Sequence, residues 1–194
     1  TSEMDVLIIC VPSPIDHQKS PDLSYVTSCC KSLLPNLRES QLIILESTVY
    51  PGATEEIILP LLSEGTLVPE EHFWIAYSPE RIDPGNKQYT IENVPKLVSG
   101  ISKMGSHLAK TFYDQLLKAE VIEVSSPKVA ETAKLLENVF RSINIAFAHE
   151  MDEFCRRMGM NTWEVIEAAK TKPYGFMPFY PGPGVGGHCI PLHP

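Results

Sequence analysis

Asp5-Val6-Leu7-Ile8-Ile9-Cys10-Val11, Gln41-Leu42-Ile43-Ile44-Leu45 and Phe73-Trp74-Ile75-Ala76-Tyr77 are the runs that decide the fold class. Each is short and rich in β-branched or aromatic residues. None alternates apolar with polar residues as a half-solvated strand does, so each reads as a strand buried on both faces. Two further strands are expected at 96–98 and 120–124, with helical patterns near 22–36, 52–63 and 103–118 between the runs. Short apolar strands alternating with helices predict an α/β fold whose parallel sheet is covered on both faces. Asp22, preceded by Pro21, is the expected N-cap of the first helix. Pro51-Gly52 breaks the chain just after Glu46-Ser47-Thr48-Val49. That puts Ser47 and Thr48 at the carboxyl end of a strand, the edge where open α/β sheets bind ligands.

From Pro127 the pattern changes to a single long helix, 127–158, followed by a second near 161–171 capped by Asn161 or Thr162. A helix of that length is far above the usual and is expected to bridge domains or subunits. Lys134, Asn138 and Arg141 share one of its faces, at i, i+4 and i+7. Ala133, Leu136, Phe140, Ile143 and Phe147 form an apolar face elsewhere on it. A polar stripe on a helix is ordinarily solvated surface. Asparagine is a poor residue for a helix interior, however, and its pairing with lysine one turn away favours a functional stripe.

The chain has 194 residues, 43% of them hydrophobic, enough for a substantial core in one or two domains. Its formal charge of −8 argues against nucleic acid as a partner. A small anionic ligand stays compatible, provided helix N-termini and a few cations meet it locally. No apolar run reaches membrane-spanning length, and Thr1-Ser2-Glu3-Met4-Asp5 does not read as a signal peptide. Five cysteines without framework spacing fit a reducing, cytoplasmic setting. Both ends look cut close to structured elements, so the sequence reads as a central fragment.

The densest signal lies in Pro181-Gly182-Pro183-Gly184-Val185-Gly186-Gly187-His188-Cys189-Ile190-Pro191. Four glycines in six residues allow close backbone approach to another molecule, and the loop ends on a single thiol. Cys189 is therefore read as a nucleophile. If it attacks a carbonyl carbon, Lys134 and Asn138 offer a cation and an amide to the resulting oxyanion. Glu80, in Ser78-Pro79-Glu80-Arg81, and the Thr48 hydroxyl are candidates to position a hydrolytic water. A metal site from His188, Cys189 and His193 lacks a supporting cysteine pair, and none is expected.

Five segments together carry a family resemblance: Cys10-Val11-Pro12-Ser13-Pro14, Glu46-Ser47-Thr48-Val49, Ser78-Pro79-Glu80-Arg81, Glu131 through Arg141, and the glycine loop. They occur in the order seen in the UDP-glucose/GDP-mannose dehydrogenase family, and the match covers essentially the whole chain. Ser-Pro-Glu-Arg and Gly-Gly-His-Cys-Ile-Pro most resemble the branch that oxidises UDP-N-acetylhexosamines. The resemblance implies the second half of a Rossmann-like, NAD-binding domain over 1–125, then a helical dimerisation region over 126–194 that carries the nucleophile. It implies NAD-dependent, four-electron oxidation of a sugar C6 hydroxyl to a carboxylate through a Cys189 thiohemiacetal and thioester. By the same resemblance Val11, Pro12, Ser13, Glu46, Ser47 and Thr48 line the nicotinamide half of the cofactor site. Lys134 and Asn138 match the oxyanion-side pair, Glu80 the acid–base or water-positioning glutamate, and Thr48 a hydroxyl that holds the water. Arg81, Arg141, Gly186 and Gly187 join Glu80, Lys134 and Asn138 on the substrate side, with Arg141 read either as a substrate contact or as an interface ion pair. A homodimer through helix 127–158 is the implied assembly.

Two departures stand against the family pattern. Where the family has an aspartate four residues after the nucleophile, this chain has His193. It reads as a substitute base near neutral pH, as the mark of a slow or inactive member, or as an artificial end. The Gly-x-Gly-x-x-Gly turn that receives a pyrophosphate is also not in the sequence, so the chain alone is expected to turn over little or not at all. Two other readings use the same residues. One is a cysteine-dependent acyl transferase or hydrolase that needs no nicotinamide; the other is a non-catalytic module whose long helix pairs with a partner.

Overall fold

The computed structural model describes residues 2–16, 18, 20–83 and 85–184. Two compact units divide the chain, Thr1–Lys134 and Leu135–Pro194.

The first unit is built on a five-stranded sheet: β1 (Val6–Ile9), β2 (Leu42–Leu45), β3 (Trp74–Tyr77), β4 (Lys96–Gly100) and β5 (Val121–Glu123), hydrogen-bonded in that order. β1, β2 and β3 run parallel, with Ile9 beside Leu45 and Leu45 beside Tyr77. Every residue of β2 is buried, as its unbroken Leu-Ile-Ile-Leu composition requires of a central strand. One face of the sheet carries Ile9, Ile43, Leu45, Ile75 and Tyr77. Val26, Cys30 and Leu33 of α1 (Ser24–Leu33) pack in the same cluster, with Ile58 and Leu62 of the helical run 54–62. The other face carries Leu42, Ile44, Ala76 and Val98 under Ala109 and Tyr113 of α3 (Lys103–Leu116). The expected α/β sheet covered on both sides is therefore the observed one.

The strands differ from simple alternation in one respect. β4 runs antiparallel to β3, and β5 then runs parallel to β4. A parallel neighbour needs a crossover long and regular enough to return to the starting edge, usually a helix. Among the described residues no helix forms between β3 and β4, a stretch whose sequence holds Pro79, Pro84-Gly85 and Pro95, and the chain turns back along the same edge. Between β4 and β5 the helix α3 supplies the crossover. Gly100 makes that packing possible, since a Cβ there would lie 2.2 Å from the Ser106 backbone nitrogen.

The helix termini refine the sequence reading. Asp22 does not cap α1 directly; its Oδ1 accepts from Ser24 N at 2.9 Å, an Asx turn, and Leu23 takes the cap position. Pro35 closes α1 with a 3-10 turn, Leu34–Asn36. The run 54–62 starts as a π-helical turn, Thr54–Ile58, and continues as α2 (Leu59–Leu62). Pro60 removes the backbone donor of its position, which breaks regular α-helical bonding to the turn before it.

In the second unit, α4 (Pro127–Arg157) enters from the first and is followed by α5 (Thr162–Lys170). Asn161, one of the two expected caps, accepts from Trp163 N at 3.0 Å. Ala148, Cys155 and Ile166 are buried in this unit. Phe140, Phe147, Met151, Cys155, Ile166 and Phe176 line an apolar groove of about 600 Å³. Among the described residues, no helix is long and apolar enough to cross a membrane.

Candidate active site

The carboxyl ends of β1, β2 and β3 form one edge of the first unit, and two loops there are stitched together. Ser47 Oγ donates to Val11 O at 2.6 Å, and Ser13 Oγ donates to Thr48 O at 2.5 Å. Ile9 O accepts from both Glu46 N (2.8 Å) and Ser47 N (3.2 Å). The loop Val11-Pro12-Ser13 therefore lies directly against Glu46-Ser47-Thr48. The Ser13 and Ser47 hydroxyls spend their protons on backbone carbonyls, so in this structure they shape the loops.

Further along the same edge sits a charged cluster. Lys96 Nζ is 2.9 Å from Glu46 Oε1 and 3.6 Å from Glu80 Oε2. The ammonium also lies 4.9 Å from the centre of the Tyr113 ring, within cation–π range. The Tyr113 hydroxyl donates to Glu46 Oε1. Burial, and then that bond to Glu46, holds the Tyr113 hydroxyl far above the usual tyrosine range. Glu80 is oriented by its own turn: Oε1 accepts from Arg81 N and from Ile82 N, each at 2.7 Å. Arg81 donates from Nη1 to Pro95 O at 2.7 Å, tying the start of the connecting loop to its end.

Sequence reasoning found Glu46 and Glu80 but missed Lys96 and Tyr113. Lys96 opens an apolar strand and would ordinarily be a solvated edge lysine, whereas it is only 6% exposed. The available signal was a lysine beginning a run that is otherwise buried.

A third carboxylate was given no role by the sequence. Glu131, on the first turns of α4, is fully buried. Its Oε2 accepts from Gly52 N, while Oε1 accepts from Thr54 N (2.9 Å) and Thr54 Oγ1 (2.6 Å). Gly52 has φ +101°, and its turn presents these donors at the start of the run 54–62, where a negative charge is favoured. Glu131 thus anchors α4 to the turn that follows Thr48.

Lys134, the last residue of the first unit, is buried. In the second unit Asn138 is 1% exposed; its Oδ1 accepts from Arg141 Nη2 at 3.3 Å. Its Nδ2 has no partner among the described residues. The apolar face is the open one: Leu136 (67%), Phe140, Ile143 and Phe147 are all exposed. Lys134 and Asn138 are thus not solvated surface. Cys189, His193, Gly186 and Gly187, together with His188, lie outside the described residues.

Comparison with known proteins matches residues 1–117 to the NAD binding domain of the UDP-glucose/GDP-mannose dehydrogenase family. Residues 128–194 match the central domain of the same family. The chain belongs to the UDP-glucose/GDP-mannose dehydrogenase family. The resemblance carried by the five ordered segments is borne out, and residues 1–117, which hold β1 to β4, match the family's NAD binding domain. Among the chain's relatives is a UDP-N-acetyl-D-glucosamine 6-dehydrogenase of Pseudomonas aeruginosa. It is 43% identical over 98% of this chain and 45% of its own length. An NDP-N-acetyl-D-galactosaminuronic acid dehydrogenase of Ralstonia solanacearum is 36% identical over 98% of this chain and 46% of its own. The solved structure of a UDP-D-ManNAc dehydrogenase from Pyrococcus horikoshii superposes with a TM-score of 0.91 at 35% identity, covering 97% of this chain and 44% of that one. The chain thus spans somewhat under half the length of the relatives it matches.

Proposed function

We propose that the chain belongs to an NAD-dependent UDP-N-acetylhexosamine 6-dehydrogenase, which converts the sugar C6 hydroxyl to a carboxylate. The reading takes residues 1–125 as the later half of the NAD-binding domain and 126–194 as the helical region that carries the nucleophile. One observation carries it: Thr48 and Glu80 stand on the same sheet edge as the stitched loops Val11–Ser13 and Glu46–Thr48. That edge is open to a ligand, with Pro12 exposed and Val11, Ser13 and Thr48 half-buried, so these residues fit the end of a dinucleotide laid across it. Two NAD⁺ molecules, bound there in turn, would each accept one of the two hydrides.

This chain's residues then have separable tasks. The Cys189 thiolate adds to the C6 aldehyde carbon, and the thiohemiacetal, once oxidised, is a thioester. Glu80 orients and deprotonates the water that cleaves it, with the Thr48 hydroxyl holding that water. Lys134 and Asn138 stabilise the oxyanion that forms in each addition, for which the unpartnered Asn138 Nδ2 is a ready donor. Overall, alcohol and water become carboxylate, with two hydrides transferred and three protons released. Arg81, Arg141, Gly186 and Gly187 are assigned to the substrate side, and His193 stands where the family's aspartate would act beside the thiol. The exposed stripe of Leu136, Phe140, Ile143 and Phe147 supports pairing of α4 with a second copy.

The test is NADH absorbance when the protein meets NAD⁺ and UDP-N-acetylglucosamine, -mannosamine or -galactosamine, with Cys189→Ser in parallel. Sustained NADH with one of these sugars, abolished by the substitution, is the expected result for the full-length protein. Ester hydrolysis without nicotinamide would overturn the reading in favour of an acyl-transfer enzyme. If the full-length protein binds neither NAD⁺ nor any of the sugars yet still self-associates, a non-catalytic pairing module replaces it.

A further inference from the structure

We propose that Lys96 is a positioning residue for the reaction, holding the Glu80 carboxylate in place from a frame made by Glu46 and Tyr113. The proposal rests on the reading of Glu80 as the group that handles the hydrolytic water.

The backbone places Lys96 for this role. β3 and β4 are paired antiparallel, with Ala76 beside Gly100 and Tyr77 beside Ser99. Ser78 Oγ continues the pairing by donating to Leu97 O at 2.8 Å. Carried to the end of the strand, the same register sets Glu80 across from Lys96. Glu46, Ser78, Glu80 and Lys96 also share one side of the sheet. They extend, by steps of two, the face whose apolar part is Ile44, Ala76 and Val98.

The chemistry of the cluster separates frame from load. A buried ammonium is tolerable only when paired. Its close partner is Glu46 at 2.9 Å, and Glu46 is itself fixed by the Tyr113 hydroxyl. The longer contact, 3.6 Å, goes to Glu80, whose side chain is far more exposed than that of Lys96. Glu80 Oε1 is already engaged by two backbone N–H groups. Oε2 faces Lys96, and the side chain is 44% exposed, which suits an oxygen that must take a proton from water. Removing the ammonium would leave two carboxylates facing each other across the strand ends, and Glu80 would swing toward solvent.

The experiment uses the full-length enzyme with Lys96→Met, Lys96→Arg, Glu80→Gln and the Lys96→Met/Glu80→Gln double variant. Lys96→Met should lower kcat about 10- to 100-fold, the scale of a misplaced catalytic group. KM for the sugar nucleotide should stay within about threefold, as expected when ground-state binding is spared. Lys96→Arg should restore most of the rate. In the Glu80→Gln background, Lys96→Met should cost less than about a further twofold, because its effect runs through Glu80. Independently of activity, the ¹³Cδ resonance of Glu80, assigned by its loss in Glu80→Gln, should move in Lys96→Met and return in Lys96→Arg. Fully multiplicative losses in the double variant, or an unmoved Glu80 resonance, would overturn the proposal. If Glu80→Gln keeps full activity, the water-handling role of Glu80 falls, and the resonance alone then decides whether Lys96 holds it. Should Lys96→Met not fold, Lys96→Met/Glu46→Gln removes one charge of each sign and takes its place throughout.

Discussion

Replacing Glu131 with glutamine tests whether α4 is held to the first unit by a single buried carboxylate. Two oxygens accept three donors: Gly52 N, Thr54 N and Thr54 Oγ1. Glutamine keeps the length and one acceptor. Its best orientation leaves the carbonyl on Thr54 and turns an amide N–H toward the Gly52 N–H. An orphaned buried donor costs about 1–3 kcal/mol, and the two surviving bonds each weaken by about 1 kcal/mol once the acceptor is neutral. At the low end of these terms the loss is about 3 kcal/mol, already a large share of the roughly 5–15 kcal/mol that holds a typical domain. With a urea slope of about 2 kcal/mol/M for a unit of this size, the midpoint should fall by about 1.5 M. The chain has two tryptophans, and Trp74 lies in β3 of the first unit. Its fluorescence in a Trp163→Phe background follows that unit alone. Adding Thr54→Val should cost less in Glu131→Gln than in the parent protein, by about 1 kcal/mol of coupling. A midpoint within about 0.3 M of the parent, at unchanged slope, would show that these donors do not depend on the carboxylate.

Three further outcomes follow from burial and exposure. Tyr113 is raised far above the usual range by burial and then by Glu46, and Tyr77 by burial, then Glu131 and Glu46. Both stay protonated in the fold while unfolded tyrosines ionise near pH 10, so stability is intact below that pH and falls above it. The two together approach about 2.7 kcal/mol per pH unit only above pH 10, and urea midpoints between pH 9 and 11 should show Tyr113→Phe removing half of the fall. Burial, with Cys29 adding, pushes the Cys30 thiol up to about 12, whereas Cys10 is exposed. Iodoacetamide at pH 8 followed by peptide mass spectrometry should find Cys10 modified and Cys30 untouched until the protein is unfolded. Ile143→Glu places a charge in the exposed apolar stripe of α4. Sedimentation should show loss of self-association with the unfolding midpoint nearly unchanged, and an unaltered assembly would remove that stripe from the interface.

The strands and long helices were legible because their signals are local. Leu42-Ile43-Ile44-Leu45 is buried wherever it lies in a sheet, and a polar residue followed by the apolar-periodic run 162–170 announces a capped helix in any context. Glu131 was illegible as an anchor because its three donors come from residues 77 to 79 positions earlier. The stripe on α4 was legible as a period but not as an environment. Spacing put Lys134 and Asn138 on one face and Leu136 and Phe140 on another; only packing shows that the polar pair is buried and the apolar pair exposed. The proposed pairing of α4 with a second copy accounts for that inversion, since an apolar surface meant for a partner stays uncovered in a single chain.

The reversal of β4 joins the fold to the site most closely. Had the chain between β3 and β4 formed a crossover helix, β4 would run parallel to β3. Lys96, its first residue, would then sit at the opposite edge of the sheet, about four strand residues or some 13 Å from Glu46 and Glu80. Because the connection holds prolines and forms no helix among its described residues, the strand starts where β3 ends. A lysine that opens one of the expected strands is thereby delivered between two carboxylates. The sequence did carry the cue, a stretch from Ser78 to Pro95 without helical periodicity, but a missing helix states a strand's direction only once its neighbours are known. The direction of one short strand therefore decides whether this edge carries a bare pair of acids or an acid held in place by a buried cation.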